Sequence, residues 1–183
     1  LEALEGAPDE AVAAYFASRF PDAVGAMPQL LEDFRANPSG PLVTVRMDPW
    51  HAPGPVVLVG DAAHAVVPFY GQGMNAAFED ALRLSRCLSA AAAGPRRLGE
   101  GVEAFARERR PAAEALAELS LANYAEMAHH TASSLFLLRK RCEALLHAAF
   151  PSWWVPLYTM VAFTDTPYHH AVERARRQDK AVA

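Results

Sequence analysis

The hydrophobic pattern changes character along the chain. Two short strand-like stretches lie before residue 60, and helical periodicity takes over from Met74 onward. Pro8 to Arg19 reads as a helix, with Pro8 tolerated in a first turn and Phe20-Pro21 closing the segment. A proline-containing connection then leads to Asn37-Pro38-Ser39-Gly40, a turn signal. Leu42 to Arg46 alternates apolar and polar positions, which predicts a half-buried strand. Val56 to Val59 is apolar at every position, which predicts a strand buried on both faces. After a Gly60-Asp61 turn and a Pro68–Gly73 loop, Met74 to about Ser89 is periodic enough for a helix, and Gly94-Pro95 breaks it. Ala91 to Gly94 is expected as a surface loop.

Further helical stretches run over Val102–Arg110 and Pro111–His130, with Pro111 marking a start or a kink. Ser133 to Phe150 follows and ends at Pro151, then Pro156–Phe163 and an amphipathic, basic Tyr168–Lys180. The fold class expected is therefore α+β, mostly helical. No internal repeat or low-complexity linker interrupts it.

Composition narrows the function classes. With 52% apolar and 21% charged residues the chain can build a sizeable core. A net charge of −4 gives no electrostatic ground for binding nucleic acid. No apolar run reaches eighteen residues, so no membrane span is expected, and a cytoplasmic location is the reading. Cys87 and Cys142 each sit alone in a helical, apolar context, as reduced thiols do.

The residues from 56 to 80, VVLVGDAAHAVVPFYGQGMNAAFED, carry the chemistry. A carboxylate just after a buried strand is well placed to accept hydrogen bonds from a ligand's hydroxyls. Gly71 and Gly73 permit backbone conformations and close approaches that a Cβ resists. The glycine loop delivers a ligand to a helix N-terminus, where free N–H groups and the dipole favour negative charge. A polyhydroxylated, anionic cofactor fits both features.

This stretch resembles the second FAD-binding motif of the class A flavoprotein aromatic hydroxylases. The resemblance implies that Asp61 holds the ribityl chain and that Gly73, Met74 and Asn75 face the pyrimidine edge of the flavin. Downstream, LSLANYAEM (119–127), HAAFPSWWVPLYTMVAF (147–163) and YHHAVERARRQDK (168–180) resemble the C-terminal region of the kynurenine 3-monooxygenase family. YFASRFPDA (15–23) and PLVTVRMDPWH (41–51) match it less specifically. The implied organisation is the end of a substrate-side sheet over 1–52, the cofactor motif over 53–95 and a helical substrate-capping domain over 96–183. No GxGxxG opens a βαβ unit, so the usual ADP-binding fingerprint is missing and an N-terminal FAD-binding half is expected elsewhere. The chain reads as an excised or truncated segment, expected to be inactive alone.

The implied activity is hydroxylation of L-kynurenine to 3-hydroxykynurenine, with FAD as cofactor and NADPH and O₂ as co-substrates. The alternatives are a hydroxylase of another aromatic acid, or a non-catalytic fragment that needs a separate FAD-binding chain. No residue here is expected to act as a catalytic acid or base. Asn123 sits in an apolar stripe with Leu116, Leu119 and Met127. By itself that pattern suits a core amide satisfied by backbone. The resemblance implies instead that Asn123 and Tyr158 contact the amino-acid end of the substrate. Phe69 and Tyr70 either wall an aryl pocket or pack their own loop. Tyr124, on another helix face, stays ambiguous. The adjacent pairs His129-His130 and His169-His170 project about 100° apart on a helix, which disfavours a shared metal.

Overall fold

The structure, a computed structural model, describes residues 4–53, 56–94, 97–129 and 133–182. The chain divides into two compact units, Leu1–Leu42 and Val43–Ala183. In the first unit helix α1 (Asp9–Arg19) carries Asp9 and Glu10 in its first turn and Arg19 in its last, signs that suit the helix dipole. Pro8 is its N-cap rather than part of its first turn. Helix α2 (Leu30–Ala36) occupies what the sequence suggests is a mere connection, after a single 3₁₀ turn at Val24–Ala26. The two helices are fastened by the Phe16 ring edge-on to Phe34 and by Arg35, whose Nε and Nη2 both donate to Asp9 Oδ1 at 3.1 and 2.8 Å.

The second unit opens with an extended segment. The strand expected at Leu42–Arg46 does not form: Leu42 and Val43 are exposed, and only Val45 and Met47 donate N–H bonds, to the carbonyls of Ala65 and Ala63. Its partner is turning into a helix there, so the ladder cannot continue. The buried strand expected over Val56–Val59 also shrinks. β1 (His51–Ala52) and β2 (Val56–Val57) form a two-residue antiparallel ladder, with His51 opposite Val57, and Val56 is 57% exposed. An all-apolar run implies cover on both sides. Here Val57, Leu58 and Val59 are only partly buried, against Trp50, Phe105 and Ala106.

Then come α3 (Asp61–His64), a 3₁₀ turn at Pro68–Tyr70, and α4 (Gly73–Ala92). α4 takes in Ala91 and Ala92, so the surface loop expected at 91–94 is mostly helix, and Ala91 is buried. α5 (Leu98–His129) runs for 32 residues with Pro111 inside it, where two helices or a kink are expected. A proline in a helix interior costs about 3 kcal/mol through its missing N–H and ring clash. Burial on both sides of Pro111 offsets this: Val102, Phe105 and Ala106 before it, Ala112, Leu116 and Leu119 after. Packing, which the local pattern does not report, decides the element.

α4 lies close along α5. A Cβ on Gly101 would meet the Cys87 carbonyl oxygen at 3.0 Å, a crossing only glycine permits comfortably. Helices α6 (Ser134–Ala149), α7 (Leu157–Phe163) and α8 (Tyr168–Val182) complete the unit, with α8 packed on α5 and α7. One core cluster joins Tyr70, Leu116, Leu119, Met160 and Tyr168. A second joins Trp50, Ala63 and Phe105. Gln178 on α8 pins the segment before α7: its Nε2 donates to the Val155 carbonyl at 2.9 Å, and its Oε1 accepts from the Val155 N–H at 3.2 Å. Among the described residues no helix is long and apolar enough to cross a membrane.

Leu116 is fully buried in the first cluster. Leu116→Ala is expected to destabilise by about 2–5 kcal/mol, because the cavity left in a packed core adds to the lost transfer free energy. The midpoint of urea unfolding measures it, and an unshifted midpoint would place this cluster outside the stability-determining core.

Candidate functional site

The site is built on the exit from β2. Gly60 takes φ 61° and ψ −140°, a conformation costly for any residue with a Cβ. A Cβ there would also meet Ala77 Cβ on α4 at 3.2 Å. The turn is thus a glycine turn on two separate grounds, and it seats α3 against α4.

Beneath it lies Asp80, a carboxylate with 0% exposure. The Gly60 N–H donates to Asp80 Oδ2 at 3.1 Å, and His64 Nε2 meets the same oxygen at 2.5 Å. Arg109 Nε, from α5, donates to Asp80 Oδ1 at 2.8 Å. The rest of that guanidinium reaches Glu79 Oε2 at 2.9 Å and the Ala76 carbonyl at 3.5 Å. Trp50 lies over His64, ring centroids 5.2 Å apart. Burial pushes the Asp80 carboxyl up, but hydrogen bonds from His64 and Arg109 and their charge outweigh it and hold it below the usual 3.8. The charges are matched, which is what makes their burial tolerable.

The sequence does not single out Asp80, His64 or Arg109, yet a signal is present. Ala76, Asp80 and Ala91 are the buried positions of α4, so a carboxylate occupies the stripe meant for the core.

Asp61, the first residue of α3, stands exposed above this network. Gly73 begins α4, Met74 is 69% exposed and Asn75 is exposed, with Asn75 Nδ2 donating to Gln72 Oε1 at 2.9 Å. The N–H groups of Gly73, Met74 and Asn75 precede the first hydrogen bond of the helix, from Ala76 to the Gln72 carbonyl. A Cβ on Gly73 would meet only Val66, at 3.7 Å, so packing within the chain does not demand glycine there. An outward carboxylate and the donor end of a 20-residue helix are the acceptor and donor a polyhydroxylated, anionic group requires.

Tyr70, Asn123 and Tyr158 line one cavity of about 600 Å³ together with Leu119 and Trp154. Phe69 is not in its wall. Its ring lies on Tyr124, centroids 4.6 Å apart, and its carbonyl accepts from Asn123 Nδ2 at 2.5 Å. The Asn123 amide nitrogen is therefore engaged by backbone, as the apolar stripe suggests, and it straps α5 to the Pro68–Tyr70 turn. Met127, at the end of that stripe, is exposed.

Tyr158 is 56% exposed, and its ring lies 5.7 Å from that of Tyr70. Burial, with Glu126 and Tyr158 nearby, pushes the Tyr70 hydroxyl up to about 12, so it remains a donor at neutral pH. The polar edge of the cavity is a ladder in which Lys140 meets Glu126 at 3.2 Å, and Arg139 meets Glu143 at 2.9 Å and Asp179 at 3.1 Å. Apart from the half-buried Glu143 these groups are exposed, so the pairs contribute little to holding α6. The His169 and His170 rings lie 4.2 Å apart, closer than their helical spacing suggests, and His130 lies outside the described residues. Among the described residues no group of three or more His, Cys, Asp or Glu could hold a metal ion.

Comparison with known proteins adds a family. Residues 17–120 match the family described as FAD binding domain. The chain is 46% identical over 172 residues to the kynurenine 3-monooxygenase of Salinispora tropica, covering 94% of this chain and 37% of the relative. It is 42% identical over 171 residues to that of Dictyostelium discoideum (88% and 37%), and 44% identical over 171 residues to that of Stenotrophomonas maltophilia (93% and 37%). The chain thus spans little more than a third of the length of these curated relatives.

The depressed carboxyl of Asp80 sets a pH dependence with a definite sign. Its unfolded-state value lies above its folded one, so its contribution is fully present above pH 3.8 and is lost as pH falls through the folded value. The stability difference between wild type and Asp80→Asn is expected to shrink as pH falls below about 4. Denaturant midpoints at stepped pH from about 5 down to about 2 check this, and a difference that holds or grows below about pH 4 would contradict the assigned network.

Proposed function

The chain belongs to the FAD-binding domain family, and from that premise we propose that it is a C-terminal segment of an FAD-dependent aromatic monooxygenase. In the complete protein the reaction is hydroxylation of L-kynurenine to 3-hydroxykynurenine, with NADPH and O₂ as co-substrates. The substrate assignment draws on the relatives, each of which is a kynurenine 3-monooxygenase. The observation that supports the cofactor assignment is an exposed Asp61 on a turn held by Asp80, followed at Gly73 by the N-terminus of a 20-residue helix.

The residues fit FAD. Asp61 supplies an acceptor for ribityl hydroxyls, and the amides of Gly73, Met74 and Asn75 supply donors and positive potential where a reduced flavin carries negative charge. When bound, FAD supplies the redox chemistry that activates O₂, and the protein binds, orients and shields.

Asp80 is committed to Arg109 and His64 and has no free oxygen for proton transfer. Tyr70 stays protonated and can donate but not abstract. The work of this segment is therefore positioning. Leu119, Trp154 and the Tyr70 ring offer an apolar wall for an aryl group, while Tyr158 and the side-chain carbonyl of Asn123 are the polar groups for an amino-acid end.

The test separates cofactor from substrate. In the full-length protein, Asp61→Ala should weaken FAD binding by about tenfold or more, since a carboxylate acceptor contributes roughly 1.5–3 kcal/mol. Tyr158→Phe should leave flavin content unchanged and lower kcat/KM for L-kynurenine by about tenfold. Asn123→Ala should do the same with some loss of stability, because its bond to the Phe69 carbonyl is lost as well. Flavin content beside steady-state kinetics reads all three. Full FAD retention in Asp61→Ala, or unaltered kinetics in the other two, would remove those residues from the site.

A further inference from the structure

Asp80, His64 and Arg109 are buried polar residues bonded to one another through Asp80, with no part in the cofactor and substrate contacts above. Their arrangement is asymmetric. One oxygen of Asp80, Oδ2, takes both the Gly60 N–H and His64 Nε2. Gly60 is the N-cap of α3 and His64 its last residue, so a single atom grips both ends of the one-turn helix that begins with Asp61. The other oxygen, Oδ1, is held by Arg109 of α5, whose remaining nitrogens are fixed by Glu79 and the Ala76 carbonyl on α4. The carboxylate is a joint between the turn and the two longest helices.

Stability alone is a poor reason for such a joint. Buried ion clusters commonly do no better than apolar packing of the same volume, whereas a directional cluster can fix one arrangement among several of similar energy. The other holds on the four-residue α3 are the burial of Ala63 against the second core cluster, Trp50 over the His64 ring and the Met47 N–H on the Ala63 carbonyl, while Asp61 itself is exposed. Small rotations of this turn would carry the Asp61 carboxylate away from a ligand's hydroxyls.

We infer that Asp80, through Gly60 and His64, is a positioning residue for the cofactor: it sets the direction of Asp61 and thereby FAD affinity, without touching FAD. The inference rests on the reading of Asp61 as the ribityl acceptor. It separates His64 from the other histidines of the chain, because His64 is the side chain that closes the grip on α3. Glutamine places an N–H donor close to where His Nε2 stands, so His64→Gln keeps the contact to Asp80, and His64→Leu removes it.

The experiment uses the full-length protein, with FAD affinity read from quenching of flavin fluorescence and apoprotein melting temperature read in parallel. Four variants are compared: Asp80→Asn, His64→Leu, His64→Gln and, as a stability control, Val102→Ala, a buried α5 residue outside the cluster. Asp80→Asn should weaken FAD by about tenfold or more and His64→Leu by about fivefold, with His64→Gln within about twofold of wild type. Val102→Ala should lower the melting temperature and leave FAD affinity unchanged. FAD affinity near wild type in both Asp80→Asn and His64→Leu overturns the inference. So does an equal loss in Val102→Ala, or failure of all three cluster variants to fold while the control folds, since the cluster then serves folding only. A wild-type protein that does not bind FAD defeats the cofactor reading itself, a distinct result from cluster variants that bind as wild type does.

Discussion

A carboxylate with no exposed surface is stable in a fold only when both of its oxygens are engaged, and Asp80 is engaged from the turn and from α5 at once. Losing any one donor would leave part of a charge without a partner, so the positions of Gly60, His64 and Arg109 are tied together. The crossing of α4 on α5 follows from the same point, with Gly101 allowing the approach that lets Arg109 reach across. The second core cluster then closes over it, Trp50 lying against both His64 and Phe105.

From this joint the chain runs outward in two directions. The turn and α3 lead to the Pro68–Tyr70 segment, which α5 receives and which Asn123 holds by the Phe69 carbonyl. Tyr70 thereby sits buried at the cavity wall while Phe69, one residue earlier, packs on Tyr124 instead. Neighbouring aromatics thus face different surroundings, the cavity for Tyr70 and α5 for Phe69. On the far side, α8 closes the cavity with Gln178 on Val155, a neutral clamp whose strength does not vary with pH.

What could be read from the sequence follows from how local each signal is. The helices from α6 onward are delimited by prolines and periodic faces, and their ends fall within a residue or two of expectation. The Gly60 turn was legible because glycine, aspartate and small residues follow an apolar run. α2 was not, since its seven residues are too few to establish a period. Val56–Val59 misled because an apolar run reports what could be buried, and this chain covers one side of it. Pro111 misled in the opposite direction, its local cost offset by burial on both sides of it along α5. Asp80 went unread although a charge among apolar positions of α4 marked it, because its partners His64 and Arg109 lie 16 and 29 residues away.

The length of α5 has a further consequence. Arg109, at the turn, and Asn123, at the cavity, stand on one helix, and a rise of 1.5 Å per residue puts them about 21 Å apart along its axis. The helix acts as a ruler, fixing how far the Gly60 turn lies from the amide that straps the cavity wall. Pro111 falls between these two marks, where the missing N–H removes a rung of the backbone ladder. The missing rung is the bond from position 111 back to the Arg107 carbonyl, so it spans Arg109, and the burial of Phe105, Ala106, Ala112 and Ala113 around it keeps the helix continuous. The distance between the Asp80 joint and the Asn123 strap is thus set by one continuous helix and not by the loops that join them.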